Sequence, residues 1–226
     1  MIDVAANRER FIELINSITR ESFTQEAKDR LIAWLDERSD FFVAPASTKY
    51  HGSCEGGLCE HSLRTYEALH ALADQFLVDT KEERDADGEV TGYQITPHYD
   101  EDSLKIVGLF HDIAKANFYE KYSRNVKDES GKWVAVQEYR TIAAEKRFIF
   151  GSQEQTSEFM LRCFIDLTVE ESVAILHHLG GKGYDSTQVD MSLIFSRYPL
   201  ALMLHTADLI STYYIENREK EDAGAE

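Results

Sequence analysis

Histidine and aspartate side chains interrupt four apolar stretches of this sequence. His111 and Asp112 directly follow the apolar run 107–110, and Lys115 comes three residues later. The other three stretches contain His61, the pair His177 and His178, and Asp208. A buried carboxylate is rarely tolerated unless it is paired or bound to a metal. The four stretches therefore favour one shared site.

A divalent metal ion would explain these residue types. Imidazole nitrogens and carboxylate oxygens together suit Mn, Fe, Co, Ni or Zn, and they also serve Mg when carboxylates and water complete the coordination. The sequence does not choose among these metals. We expect the bound ion to be the cofactor of the site.

The four stretches resemble the HD-domain metal-dependent phosphohydrolases, whose ligands follow the order His, His-Asp and a distant Asp. By this resemblance the metal ligands are His61, His111, Asp112 and Asp208. Residues 50–214 are most similar to the HD domain of bacterial 3′–5′ exoribonucleases and of their phage-encoded relatives. The shared motifs are His51 before Gly56-Gly57-Leu58-x-Glu60-His61, His111-Asp112-Ile113-x-Lys115, His177-His178-x-Gly180, and Leu204-His205-x-x-Asp208.

The sequence departs from the family at one ligand position. The two-metal members carry a further His between the His-Asp pair and the His-His pair. Residues 150–156 occupy the corresponding stretch here and contain no His. The resemblance therefore implies one divalent ion, and a second tightly held ion is doubtful.

Flanking residues complete the predicted catalytic set. Asp112 is expected to orient a water, and Lys115 to offset charge on the phosphoryl oxygens. His177 or His178 is expected to protonate the leaving oxygen, and the sequence does not separate the two. The predicted substrate-binding residues are His51, which matches a family position, and the cations Arg64 and Lys182.

Composition restricts the partners of the chain. The 226 residues carry a formal net charge of −17, which argues against long nucleic acid because such binding depends on Lys and Arg. A small nucleotide is the expected substrate. The sequence has no apolar run long enough for a membrane span, no signal peptide and no paired cysteine spacing, so a cytoplasmic protein is expected. The oligomeric state is left open.

Helical periodicity dominates the regions that must position these residues. We predict a single domain over residues 1–226, with two helices in 1–40 and an HD core over about 50–216. Within the core, helices are expected from Leu58 to Val78, from about 100 to 113, after the capping box at Thr168, and from Leu200 to about Arg218. Alternating residues predict a β-hairpin over about 118–142, as a possible flap, and the charged segment 81–87 is read as a solvated loop.

The predicted fold is therefore all-α, an HD-domain helical bundle of about six to eight helices with a small β-hairpin insertion. The leading functional hypothesis is a metal-dependent phosphohydrolase that hydrolyses a phosphate ester of a nucleotide, either a phosphomonoester or a short phosphodiester. Two alternatives remain open. One is a 3′–5′ exonuclease, and the other is a catalytically weak HD domain that acts as a nucleotide-binding sensor.

Overall fold

The computed structural model describes residues 2–180 and 190–216, which are mostly helical. Eight α-helices lie in this part of the chain, within the predicted number. They are α1 Val4–Ser17, α2 Gln25–Glu37, α3 Gly57–Phe76, α4 Glu101–Phe110, α5 Gln153–Arg162, α6 Val169–His177, α7 Met191–Arg197 and α8 Pro199–Ile210. A 3-10 turn, Ile113–Lys115, follows α4, and a π-helical segment, Ser211–Ile215, follows α8. None of the described helices is both long enough and apolar enough to cross a membrane.

Two antiparallel β-hairpins accompany the helices. Strands β3 (Tyr119–Lys127) and β4 (Trp133–Thr141) form the hairpin that the sequence predicted. Strands β1 (Val78–Arg84) and β2 (Val90–Pro97) form a second hairpin. The charged segment 81–87 is exposed as predicted, but residues 81–84 belong to β1 and the prediction of a loop there was wrong. The helix predicted to reach Val78 ends at Phe76 instead. A purely all-α description is therefore too simple.

The two N-terminal helices begin at side-chain caps and bury their predicted apolar faces. The Thr24 side chain accepts a hydrogen bond from the backbone of Ala27, which satisfies one of the free amides at the start of α2. Phe11 on α1 and Leu31 on α2 are fully buried. These helices close one side of the core.

An aromatic cluster at the centre of the core holds the end of α4. The Phe110 ring lies edge-on to the Phe11 ring at 5.4 Å between centroids, and Phe11 also packs against Phe41 at 5.0 Å. Truncating a buried Phe to Ala typically costs about 3–5 kcal/mol. Because His111 directly follows Phe110, this cluster fixes the point in the core at which the His-Asp pair begins.

Helix α4 approaches α3 more closely than most side chains would allow. A Cβ atom added to Gly108 would lie only 2.8 Å from the Cα atom of Tyr66 on α3. Glycine at position 108 therefore permits direct contact between the two helix backbones. This contact brings the start of α3, with His61, and the end of α4, with His111, to one place.

A buried ion pair joins the N-terminal region to α4 and α6. The Arg20 guanidinium donates to Glu171 at 2.9 Å and to Asp100 at 3.0 Å. Glu171 also completes the predicted capping box with Thr168 at the start of α6. Burial raises the pKa of Glu171, but hydrogen bonds from Arg20 and Ser103 outweigh burial, and the net pKa is lowered. The carboxylate of Glu171 is therefore ionised at neutral pH.

Candidate metal centre

Three buried side chains converge where α3 meets the end of α4. The ligand atoms of His61, His111 and Asp112 all lie within 4.8 Å of one another. The two histidines are fully buried and Asp112 is 3 % exposed. The Nε2 atoms of His61 and His111 are 3.3 Å apart, and each lies 3.6 Å from Oδ2 of Asp112. This group could hold a metal ion.

The backbone changes direction between the two adjacent ligands. Helix α4 ends at Phe110, and His111 keeps helical angles with φ −52° and ψ −33°. Asp112 leaves the helix with φ −109° and ψ 18°. In a continuous helix neighbouring side chains diverge by about 100°. The end of the helix at this point lets both side chains face His61.

Hydrogen bonds fix which imidazole nitrogen faces the centre. Nδ1 of His61 lies 2.8 Å from a carboxylate oxygen of Glu216, and Nδ1 of His111 lies 2.9 Å from a backbone carbonyl one turn earlier. Nδ1 of His178 makes the same kind of contact at 2.8 Å. Because these oxygens only accept, each Nδ1 must donate, and Nε2 points inward. Metal-binding histidines are held in this way by outer hydrogen-bond partners.

The spacing of these nitrogens fits a single divalent ion. Two nitrogens that bind one ion at about 2.1 Å, with an angle near 100°, lie about 3.2 Å apart. The observed separation between His61 and His111 is 3.3 Å. In the described part of the chain, Nε2 of His178 is buried and has no hydrogen-bond partner. The residues therefore fit a divalent cation, and the donor set leaves its identity open.

Two further predicted residues border the group. Oδ1 of Asp208, on α8, lies 3.2 Å from Nε2 of His61. Nε2 of His178 lies 3.6 Å from Oδ1 of Asp112, and the His178 ring is 5.0 Å from the His111 ring. His178, rather than His177, therefore faces the metal centre.

The predicted proton donor His177 has different surroundings. It is half-buried, and burial lowers its pKa while the nearby Glu154 opposes that shift. The charged group that acts on His177 is therefore Glu154 on α5, whereas Asp112 and Asp208 act on His178.

The protein environment shifts the pKa values of the buried groups in different directions. Burial lowers the pKa of His111 to about 4. Burial also lowers that of His61, but the carboxylates of Asp208 and Glu216 outweigh burial and raise its pKa to about 9. For Asp112, burial raises the pKa, but Lys115 and the neighbouring histidines hold it well below its usual range. Asp112 thus stays ionised and requires nearby positive charge.

Lys115 supplies part of that charge. Its Nζ atom lies 2.5 Å from Oδ2 of Asp112. Burial lowers the pKa of Lys115, but Asp112 and Tyr119 outweigh burial and raise it, so the ammonium group stays charged. Tyr119 is the first residue of β3, which places the base of the predicted hairpin next to the site. Lys121 of the same strand contacts Glu55 at 2.7 Å, in the loop that precedes α3.

His51 lies in that loop and joins the site. Its ring is 4.9 Å from the His61 ring. Both of its ring nitrogens are buried, and neither has a hydrogen-bond partner within 2–180 or 190–216. Burial lowers the pKa of His51 to about 4, so the ring is neutral at pH 7. These two nitrogens are available to a ligand.

The other two predicted substrate-binding residues are Arg64 and Lys182. The Arg64 guanidinium forms an ion pair with Glu60 one turn earlier on α3, at 2.6 Å. Lys182 lies outside the described residues. The assignment of both to substrate binding stays a prediction.

Glu216 is a site residue that the sequence reasoning missed. It is 6 % exposed, and its carboxylate holds His61. It follows Asp208 by eight residues, with Thr212 between them, and the Thr212 hydroxyl donates to Asp208 at 3.4 Å. Helical residues four and eight apart share a face, so this spacing was a usable signal.

Comparison with known proteins assigns no family. No family model matches the sequence, and no match is found among curated proteins or solved structures. What the site can do must therefore be argued from its own residues.

Proposed function

We propose that this chain is a metal-dependent phosphohydrolase of the HD type, which hydrolyses a phosphate ester of a small nucleotide. One observation carries the proposal. The Nε2 atoms of His61 and His111 face each other beside Asp112, with the cation Lys115 against the same carboxylate. Three buried ligand side chains that converge on one point are more than packing requires. A divalent ion explains why these ligands converge, and the adjacent cation Lys115 suits the phosphate group of a substrate.

The protein residues would divide the work around the bound ion. His61, His111 and Asp112 would hold the cation, with Asp208 beside them, and the bound cation lowers the pKa of a water and polarises a phosphoryl oxygen. Lys115 places a fixed positive charge where phosphoryl oxygens gain negative charge. Burial of these groups excludes bulk water, which strengthens each of these interactions.

His178 and His51 have complementary roles in this proposal. The carboxylate of Asp112 raises the pKa of His178 against the effect of burial. A protonated His178 can donate its Nε2 proton to the leaving oxygen. Neutral His51 offers one donor and one acceptor nitrogen, which suits a hydroxyl or phosphate oxygen of the substrate.

The substrate is expected to be small. The net charge of −17 repels extended polyanions, since the binding of nucleic acid depends on cations that neutralise many phosphates. Within residues 2–180 and 190–216, the site offers only a few cationic or neutral donors, among them Lys115 and His51. A mononucleotide, a cyclic nucleotide or a short oligonucleotide meets these limits.

Release of phosphate or nucleoside from a nucleotide panel tests the proposal. The panel contains mononucleotides, cyclic nucleotides and short oligonucleotides, each with Mn, Mg, Co or Ni. Turnover of one class should require metal, should be lost in Asp112→Asn, and should persist in Asp87→Asn, which changes an exposed turn residue. Lys115→Ala should lower turnover while metal binding persists.

Other outcomes would contradict the proposal. Metal binding without turnover across the panel would favour a nucleotide-binding sensor. Stepwise release of mononucleotides from the 3′ end of oligonucleotides would favour a 3′–5′ exonuclease. Turnover that is unchanged in Asp112→Asn would remove the metal centre from the reaction.

A further inference from the structure

A second cavity lies outside the metal centre, between α2, α5 and the segment that follows β4. Its volume is about 480 Å³, within the usual range of small-molecule sites of about 300–1,000 Å³. Aromatic rings form much of its wall, namely those of Trp34, Phe118, Phe148, Phe159 and Phe164. We refer to this cavity as the aromatic groove.

Exposed aromatic rings lie in the aromatic groove and beside it. Phe148 is 60 % exposed and stacks on Phe159 with 6.0 Å between ring centroids. Phe150 is 54 % exposed and stacks on Phe159 at 4.1 Å. Rings left in water at the edge of a concave apolar surface cost free energy, and a planar aromatic ligand would cover them.

Two cations line the same groove without acidic partners. The Arg147 guanidinium lies over the Phe118 ring at 4.9 Å, and its Nε atom is buried without a hydrogen-bond partner in the described structure. Lys146 also lines the groove. Across residues 2–180 and 190–216, neither Lys146 nor Arg147 forms an ion pair. Among the described residues, most other buried or half-buried cations are paired, such as Arg20 and Lys115.

The aromatic groove is distinct from the metal centre but shares one wall with it. Ala114 and Ala116 line the groove, whereas Lys115 between them reaches Asp112. Successive side chains of a 3-10 turn diverge by about 120°. The turn Ile113–Lys115 therefore presents one face to the aromatic groove and another to the metal centre. His61, His111 and Asp112 do not line the groove.

We propose that the aromatic groove is a second binding site, for a planar aromatic anion of nucleotide size. The base would stack among the groove rings, as bases do on aromatic side chains, and the phosphate would bind the Arg147 guanidinium. The volume, the exposed rings and the unpaired cations carry this inference. It does not depend on hydrolysis at the metal centre.

Fluorescence of Trp34 tests the proposal directly. The chain contains two tryptophans, so Trp133→Phe leaves Trp34, in the groove wall, as the only one. AMP should quench this fluorescence saturably, and ribose 5-phosphate, which lacks the base, should not. Adenosine, which lacks the phosphate, should bind about tenfold more weakly than AMP.

Substitutions in the Trp133→Phe background separate the groove from the metal centre. Arg147→Gln should weaken AMP binding about tenfold, and Phe148→Ala should weaken it by a similar factor. Arg140→Gln is the matched control, because Arg140 also lies over a ring, at 5.2 Å from Tyr122, but pairs with Glu120 away from the groove. Asp112→Asn should leave AMP quenching unchanged.

Three results would overturn the proposal. The first is the absence of saturable quenching at millimolar AMP. The second is equal AMP affinity in Arg147→Gln, Phe148→Ala and their parent. The third is loss of quenching in Asp112→Asn with no effect of Arg147→Gln, which would place the nucleotide at the metal centre.

Discussion

At the residue scale, the candidate metal centre depends on which nitrogen of each imidazole carries the proton. Glu216 is the carboxylate that fixes His61, because it accepts from Nδ1 at 2.8 Å and leaves Nε2 to face His111. Without this acceptor the His61 ring could rotate or change tautomer. The orientation of one ligand therefore depends on a residue more than 150 positions away in sequence.

We predict that Glu216→Gln weakens metal binding by about 10–100-fold, the usual effect of losing an outer partner of a metal-binding His. The amide is nearly isosteric, so the protein should stay folded. Calorimetric titration with Mn²⁺ measures the change, with circular dichroism as the folding check. Glu9→Gln removes the same charge from an exposed position of α1 and should bind Mn²⁺ as the unmodified chain does. Equal affinities in the two variants would contradict a role for Glu216.

The sequence identified part of this site for a physical reason. His61, His111, Asp112 and Asp208 interrupt apolar runs, and the structure buries all of them within a small volume. The choice between His177 and His178 was open because it depends on the rotation of α6 about its axis. Glu216 was missed because its helical spacing from Asp208 was not used, and because its burial also depends on packing of the chain after α8 against α3.

At the scale of elements, the close contact of α3 with α4 brings the metal ligands together. We predict that Gly108→Ala lowers the free energy of unfolding by about 1–3 kcal/mol, because the new Cβ would overlap the α3 backbone at Tyr66. Metal affinity should fall in the same variant as His61 and His111 separate. Urea unfolding and Mn²⁺ titration measure the two effects.

Gly92→Ala provides the matched control for this prediction. A Cβ at position 92 would meet only a side-chain oxygen of Glu83, at 3.1 Å, and that side chain can move. This variant should bind Mn²⁺ normally. Unchanged metal affinity in Gly108→Ala would show that the helix contact does not set the geometry of the centre.

The Arg20–Glu171 pair predicts how stability responds to acid. The pKa of Glu171 is lower in the folded state than its unfolded value of about 4.3. Ionised Glu171 therefore stabilises the fold above about pH 4.3, and this stabilisation is lost as the pH falls through the folded-state pKa. We predict that Arg20→Met lowers the free energy of unfolding by about 3–5 kcal/mol at pH 7, because it leaves the buried charge of Glu171 without its partner. The difference should shrink at about pH 3.5, where Glu171 can be neutralised.

Urea unfolding at both pH values measures this difference. Arg124→Met is the control, since Arg124 pairs with Glu138 on the exposed hairpin and its loss should change stability by less than about 1 kcal/mol. A cost of Arg20→Met that does not vary with pH would contradict the assignment of a stabilising ionised Glu171.

The elements that the sequence predicted are those with an apolar face. Helices α1, α2 and α3 repeat apolar residues at helical spacing, and β3 with β4 alternates around the turn at 128–131. Hairpin β1–β2 was missed because nearly all of its side chains are exposed on both faces. Its pairing uses backbone hydrogen bonds, which leave no hydrophobic pattern in the sequence.

At the scale of the whole molecule, metal binding should stabilise the folded state, because the ligands come from distant parts of the chain. An ion that binds only the folded state, and that is present at 100 times its dissociation constant, raises the free energy of unfolding by about 2.7 kcal/mol. We predict a rise in Tm of about 5–10 °C with Mn²⁺ relative to chelator-treated protein. Differential scanning calorimetry measures the shift. His111→Ala should abolish the shift, and a shift that persists in this variant would place the ion elsewhere.

The acidic character of the molecule and its two cavities favour small anionic ligands over extended ones. Net charge lowers the affinity for long polyanions, while Lys115 at the candidate metal centre and Arg147 in the aromatic groove provide local positive charge. The turn Ile113–Lys115 lies between the proposed groove site, which Ala114 lines, and the candidate metal centre, where Lys115 contacts Asp112.

Anomalous diffraction from crystals grown with Mn²⁺ tests the metal centre most directly. We predict one strong peak at about 2.0–2.3 Å from Nε2 of His61, Nε2 of His111 and a carboxylate oxygen of Asp112. The peak should be absent from Asp112→Asn crystals grown in the same way. A strong peak at other residues, or none among these three in the unmodified protein, would contradict the metal centre and with it the proposed hydrolysis.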